Sequence, residues 1–360
     1  MRKQNGEGIK LRRLVVRNYK VLDSLDIEFP APRMKGDPDI MIMGSANGLG
    51  KTSVLECCAW LFLAAAEDQE FLPSALVRFM PANFADLLVR AGAEQTKIEG
   101  LFALGAKEVR LELTIARSGT FRIRGGLKDF RSLVPYSGYK PGELFQRSLL
   151  SLFGVNCEPV FLPLLVYFHS YRKVQEGNVD LVAATDGERS RPIYDPALMS
   201  SSSTFKHKVL EAMLGRADLL EGHQEEEGGA VLDKLNELMR RFAGGAIERL
   251  RPSQDSKIEL RVTPAEGRES YNFDGLSSGQ KEIISTLFLI WHYTRQQPGI
   301  VLIDEPELHL NAEWHHSFIR QLHELAPRNQ YIIATHSEDV FGSVPEDRRF
   351  LLRTPEVAVR

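Results

Sequence analysis

Cysteine is scarce in this 360-residue chain, and so are net charge and long apolar runs. The three cysteines, Cys57, Cys58 and Cys157, show no zinc-ligand spacing, and the adjacent pair lies in an apolar helical run where the two cannot readily bridge each other. They read as reduced core residues in a cytosol. A formal net charge of −3 excludes any global attraction to nucleic acid or an anionic membrane, so such a partner needs a local basic patch or another subunit. The longest apolar runs, "CCAWLFLAAA" and "VFLPLLVYF", fall far below the roughly 20 residues that span a bilayer. The start, "MRKQNGEGIKLRR", carries positive charge without the apolar stretch of a secretory signal. The expectation is a soluble, cytoplasmic protein with no membrane partner. With 43% hydrophobic and 26% charged residues, the chain can bury one large core or two smaller ones.

Residues 9–29 alternate apolar and polar side chains and break at "RNYK" and "DS", which predicts two or three antiparallel strands. "DIMIM" is a short continuous apolar run, as expected for a strand covered on both faces. Residues 51–66 read as a helix, and residues 96–124 return to strands with a turn at "RSGT". Residues 176–204, with their Asn, Asp, Gly, Pro and "SSSS", read as loop or linker. Two amphipathic helices follow at about 205–220 and 230–242, separated by the acidic "EGHQEEEGG", read as a solvated hinge. From Lys257 onward come strand, loop, helix, strand, helix and strand. The pattern divides the chain into an N-terminal lobe with a β subdomain (1–175), a linker and helical insert (176–256) and a C-terminal lobe (257–360). It shows no internal repeat and no heptad run long enough for a coiled-coil arm.

Three stretches carry chemistry. In "DIMIMGSANGLGKTS" a glycine-rich loop stands between a buried strand and a helix, the context expected of a phosphate loop. Its candidate nucleotide-binding residues are Asn47, Gly48, Leu49, Gly50, Lys51, Thr52 and Ser53. Backbone N–H groups around Gly48 and Gly50 can approach phosphates, Lys51 can reach the β- and γ-phosphates, and Thr52 can ligate Mg²⁺. The strict motif wants glycine at position 45, which is Ser45, while Gly44 comes one residue early. In "GIVLIDEPELHL" a buried strand ends on two carboxylates, costly unless they meet a cation or strong donors. Asp304 is the candidate Mg²⁺ residue and Glu305 the candidate base that polarises the attacking water. "QYIIATHSED" repeats the layout with His336 just past a strand, at the edge where open α/β sheets bind ligands. A further anion-binding helix start lies in "DGLSSGQKEII", where Ser277, Ser278, Gly279 and Gln280 precede a helix whose first-turn N–H groups have no internal partners.

Taken in order, "NGLGKT", "LSSGQ", "IDEPELHL" and "ATHS" resemble the ATP-binding cassette ATPases, and within them the branch containing RecF, the SMC proteins and the OLD-family ATPase domains. The opening "LRRLVVRNYKVLDSLDIEF" resembles that branch's N-terminal hairpin. "DEPELHL" with "ATHSEDV" is similar to a subgroup in bacterial anti-phage systems such as the Septu and PARIS ATPases. The resemblance covers residues 9–175 and 257–350. It implies an α/β fold, an ABC-type P-loop head with a mixed central sheet, an antiparallel β subdomain and a helical lobe. It also implies ATP and Mg²⁺ as cofactors, slow hydrolysis, Glu305 as catalytic base, His336 as switch histidine and Lys51 in the P-loop. In this family Ser277, Ser278, Gly279 and Gln280 would contact the γ-phosphate held by the opposite subunit, so two chains would sandwich two ATP molecules. The family's Mg²⁺-sensing glutamine matches Gln175 best, with His169 and Gln95 as alternatives. No coiled-coil arm, zinc hook or toprim-like nuclease module is visible.

The expected function is an ATP-gated, dimerising ATPase controlling a separate effector, a nuclease being one candidate, or a DNA-processing partner, in DNA maintenance or anti-phage defence. The competing readings are the nucleotide-binding subunit of a membrane transporter and a non-hydrolysing ATP-binding scaffold. Direct DNA contact stays open through the basic stretches "IKLRRLVVRNYK" and "ELMRRFAGGAIERLR", as does assembly beyond a dimer.

Overall fold

The computed structural model describes residues 8–34, 36–44, 46, 48–67, 69–71, 83–133, 148–149, 151–153, 158–180, 203–216, 225–253, 257–267 and 269–353. In chain order the strands are β1 (Ile9–Tyr19), β2 (Leu22–Glu28), β3 (Asp39–Gly44), β4 (Glu70–Phe71), β5 (Gln95–Leu104), β6 (Lys107–Ala116), β7 (Phe121–Gly125), β8 (Val160–Leu162), β9 (Leu165–Phe168), β10 (Val179–Asp180), β11 (Gly245–Pro252), β12 (Lys257–Pro264), β13 (Tyr271–Asn272), β14 (Ile300–Asp304), β15 (Gln330–Thr335) and β16 (Arg349–Leu351). The helices are α1 (Lys51–Ala66), α2 (Phe84–Leu88), α3 (Leu127–Leu133), α4 (Thr204–Arg216), α5 (Glu225–Ala243), α6 (Ser278–Thr294), α7 (Ala312–Leu325) and α8 (Glu338–Gly342).

The central sheet runs β16-β3-β15-β14-β9-β8, parallel except for the edge strand β8. Its strands alternate between two cores, which is why they read as continuous apolar runs. Met41, Met43, Ile300, Leu302, Ile332 and Ala334 face the first core. Ile40, Ile42, Val301, Ile303, Tyr331 and Ile333 face the second. The first core lies between this sheet and an antiparallel one ordered β2-β1-β5-β6-β7-β4, with α1 wedged between them. Because α1 is covered on all sides, 14 of its residues are buried, and a polar face would have no water to meet. The second core gathers α4, α5, α6 and α7 on the opposite face. A small sheet, β10-β12-β11 with β13 beside β12, flanks this helical side.

Some local expectations shift. Residues 9–29 form one hairpin, and "DS" lies inside β2 rather than breaking it, because Ser24 keeps the ladder opposite Arg17. The successive polar residues Arg12 and Arg13 sit where the β1–β5 register shifts between Leu11 and Arg13, so Leu11 and Leu14 both still point inward. Half of the acidic "hinge" is helical, since α5 begins at Glu225 and acidic residues suit a helix N-terminus. Val179 and Asp180, read as linker, pair with β12. Cys57 and Cys58 are buried, while Cys157, Ser45 and Asn47 lie outside the described residues. Among the described residues no helix is long and apolar enough to cross a membrane.

Candidate nucleotide site

Parallel strands bring their C-terminal ends to one edge. Register places Thr335 opposite Gly44, Asp304 opposite Ala334, and Ile303 opposite Phe168, so the residues that follow β3, β15, β14 and β9 converge there. Gly48 and Gly50 both adopt positive φ, 78° and 96°, where a side chain would be strained. At Gly50 a Cβ would also come within 2.7 Å of Leu22 and 2.9 Å of Val21, so the β1–β2 turn packs against the loop. Gly50 caps α1 without any side-chain hydrogen bond, leaving first-turn N–H groups for a ligand.

Five of the residues picked out in the sequence come together here. Thr52 Oγ1 donates to Asp304 Oδ2 at 2.9 Å. Lys51 Nζ lies 3.3 Å from His336 Nδ1, and His336 Nε2 lies 3.2 Å from Glu305 Oε1. A lysine ammonium can only donate, so Nδ1 accepts and the ring proton sits on Nε2, facing Glu305. Burial pulls the Lys51 ammonium below its ordinary range, against the attraction of Glu305, Asp304 and Glu307. Asp304 is fully buried, and that burial raises its pKa to about 7 despite the Thr52 bond, with the Glu305 charge adding to the rise. Its Oδ1 has no protein partner. A buried carboxylate oxygen left unpaired beside a threonine hydroxyl fits a hard divalent cation, which takes oxygen ligands and completes its shell with phosphates and water. No cluster of three or more His, Cys, Asp or Glu suited to a metal occurs among the described residues, so such a cation would rest on Thr52, Asp304 and its own ligands.

Glu305 holds φ 45° and ψ 62°, a left-handed conformation that costs a non-glycine residue about 1–3 kcal/mol. Its N–H donates to Ala334 O at 2.8 Å, which pins the turn to the next strand. Two residues later, Glu307 accepts from Thr335 Oγ1 at 2.7 Å and from the N–H groups of His336 and Ser337. One carboxylate therefore holds both the Glu305 turn and the His336 loop. Glu307 stood in "DEPELHL" as a third acid two residues beyond Glu305, but nothing in its spacing told that it faces the neighbouring strand.

Sequence reasoning also missed Arg172. It is buried, donates to the carbonyls of His169 at 3.0 Å and Asp304 at 2.8 Å, and pairs at 2.9 Å with the buried Glu282 of α6. Removing one partner of such a pair costs about 3–5 kcal/mol. Likewise Glu56, one turn into α1, takes two bonds from Lys20 and one from Tyr19, tying the hairpin turn to the P-loop helix.

The signature stretch lies at the start of α6. Ser277 Oγ accepts from Gln280 N at 3.2 Å and Gln280 Oε1 from Ser277 N at 3.1 Å, a capping box, while Gln280 Nε2 donates to Phe242 O at 3.0 Å. Ser277 and Ser278 are exposed and Gly279 and Gln280 half-buried. Ser53 is buried on α1, and Leu49 packs partly buried against the first core. Gln175 is half-buried in the segment between β9 and β10, beside Glu176. Of the alternatives, His169 is buried with its pKa lowered to about 4 by burial and its Nε2 beside Glu158 O, and Gln95 is exposed at the start of β5.

The basic stretch "IKLRRLVVRNYK" is largely neutralised from within. Arg12 pairs bidentately with Asp39, Arg13 with Asp26 and Lys20 with Glu56, and Lys10 stands 4.0 Å from Asp39. In the second stretch Arg240, Arg241, Arg249 and Arg251 face solvent.

Comparison with known proteins bears on the fold. Residues 208–341, which include the signature, Asp304, Glu305, Glu307 and His336, match the AAA_21 family, described as "AAA domain, putative AbiEii toxin, Type IV TA system". An alignment 112 positions long, covering 28% of this chain, is 30% identical to the "Retron Vc95 probable ATPase" of Vibrio cholerae and spans 21% of that protein's length. Among solved structures, an SMC head bound to the C-terminal winged-helix domain of ScpA aligns with a TM-score of 0.52 at 15% identity, over 93% of this chain and 91% of that one. The Pyrococcus furiosus SMC head with an extended coiled coil, bound to the C-terminal domain of ScpA, gives 0.51 at 14% identity, over 93% and 92%. RecF with an ATP analogue gives 0.50 at 12% identity, over 93% and 95%. In fold, this chain has the α/β architecture of ABC-type P-loop heads such as those of SMC and RecF, and its residues 208–341 carry the AAA_21 match.

Proposed function

We propose that this protein binds and slowly hydrolyses ATP, that two copies close head to tail around two nucleotides, and that this closure controls a separate effector or DNA-processing partner in DNA maintenance or anti-phage defence. The observation that carries the reading is the meeting of Thr52 with Asp304, and of Lys51 and Glu305 with His336, at one sheet edge. ATP with Mg²⁺, when bound, supplies the γ-phosphoryl group and the cation that neutralises its charge. Gly48, Gly50 and the open start of α1 cradle the phosphates through backbone N–H groups. Lys51 would turn from His336 to the phosphates, and Thr52 with Asp304 would hold the cation. Glu305 orients the attacking water and takes its proton, and its left-handed turn fixes where that carboxylate can reach. His336, released from Lys51, stays close enough to answer to the γ-phosphate.

The exposed Ser277 and Ser278 support the shared-site half of the reading. Their helix start is capped and anchored to Phe242 at the end of α5, and both serines are exposed, where a second chain's nucleotide could meet them. Gln175 is the proposed Mg²⁺-sensing glutamine, lying on the segment that leads from the β9 edge toward the insert. Effector control and the cellular setting rest on the resemblance to RecF/SMC-like and anti-phage ATPases. The test is light scattering of Glu305→Gln with ATP: a stable dimer with turnover lost is expected, and a monomer at saturating ATP would contradict the closure.

A further inference from the structure

Lys206, in the first turn of α4, is almost wholly buried, with 2% exposure. Its Nζ lies 2.5 Å from Asp274 Oδ1 and donates to Gly177 O at 2.9 Å. The other oxygen of Asp274 accepts from Gly177 N at 2.8 Å, and Asp274 N donates to Asn272 Oδ1 at 2.9 Å. Lys281, on the first turn of α6, donates to Asp274 O at 3.2 Å and to Glu176 Oε1 at 2.8 Å. The 3₁₀ turn Phe273–Gly275, which leads through Leu276 into Ser277, is thus held by its N–H, its carbonyl and its carboxylate together. Beside it, Phe205 of α4 packs against Phe273 and Phe288, with ring centroids 5.3 and 5.4 Å away.

Packing alone does not call for a lysine in this place. An apolar side chain of similar volume would fill it without the cost of burying an ammonium group, which only a close carboxylate and carbonyl offset. What the charge adds is direction: it fixes one rotamer of Asp274 and ties that residue to the 175–177 segment. We infer that Lys206 is a positioning residue that, from the helical insert, fixes the Asp274 turn so that Ser277, Ser278 and Gly279 present their donors to the nucleotide of a facing chain. This rests on the shared-site reading above. It gives the insert a role in hydrolysis carried out by the other subunit, while its own P-loop is left untouched.

Lys206→Met keeps the stem's volume and removes the charge. ATP binding to the variant's own P-loop should stay unchanged, while kcat falls by roughly tenfold to a hundredfold, the loss expected when a reacting group is misplaced. The decisive assay mixes this variant with Lys51→Ala, whose P-loop is disabled and whose signature is intact. Activity should reappear, because the P-loop of Lys206→Met then meets a sound signature. A subunit that had merely lost its fold could not lend that P-loop. Ser278→Arg mixed with Lys51→Ala serves as reference for the shared site itself. If the reference mixture regains activity and the Lys206→Met mixture does not, Lys206 acts elsewhere and the inference falls. If neither mixture regains activity, the shared-site reading falls and takes this inference with it. Wild-type turnover by Lys206→Met alone would also overturn it. Should Lys206→Met not fold, Asp274→Asn carries the same test, since its amide oxygen can still accept from Gly177 N while the pair with Lys206 loses its charge.

Discussion

Two helix starts in this molecule are suited to phosphate, and they are built in opposite ways. At α1 the cap is Gly50 in a left-handed conformation with no side-chain bond, and the charged groups around it close on one another through Lys51, His336 and Glu305. At α6 the cap is a full Ser277–Gln280 box, and the two serines are exposed. The first is a socket whose internal charges a ligand must rearrange. The second is held by its own capping box and by Phe242, and leaves its two serines exposed. An enzyme with a complete site in one chain would have no use for that second start, so the contrast itself argues for a shared one.

The largest effect that could break this contrast is at the socket. Lys51→Ala should lower ATP affinity by roughly tenfold to a hundredfold, the loss of a charge-assisted bond, measured by calorimetry on the isolated protein. An unchanged affinity would mean that the α1 start does not hold the phosphates. A smaller effect is expected at Glu307, whose carboxylate is taken up by Thr335 and the His336 loop. Glu307→Gln should lower kcat by roughly tenfold and leave ATP affinity within about twofold. Equal losses in both would show that the loop serves binding rather than turnover.

The smallest effect concerns the support under α6. Glu158 lines a small cavity with Arg172, Glu282 and Ser285, and one of its oxygens has no protein partner. Burial raises its pKa to about 7, against a bond from Thr204. The folded chain therefore holds a proton there that the unfolded chain gives up above its ordinary 4.5, so stability falls as pH rises between those values. Glu158→Gln should be more stable than wild type at pH 8, by on the order of 1 kcal/mol, and equal to it near pH 4, by thermal unfolding. A difference independent of pH would show that the carboxyl stays ionised.

The fold was legible wherever the sequence pattern reported a single face or none. The runs "DIMIM", "IVLI" and "YIIA" gave the buried parallel strands, and the all-apolar stretch after Lys51 gave a helix covered on every side. The candidate site was legible to the extent that strand ends collect chemistry, which is how Thr52, Asp304, Glu305 and His336 came to be grouped. Arg172, Glu307 and Lys206 were not, because each acts across a long sequence gap. Arg172 reaches Glu282, and Lys206 reaches Asp274, only after the sheet and the helical insert have packed. The ion pairs of the basic stretch on β1 were hidden for the same reason: its partners Asp26, Asp39 and Glu56 lie on other elements.

The most direct measurement is ATP turnover by an equimolar mixture of Lys51→Ala and Ser278→Arg. Each variant alone should be inactive, and the mixture should regain activity, since one pairing of the two chains joins an intact P-loop to an intact signature. A mixture no more active than the sum of its parts would contradict the shared site.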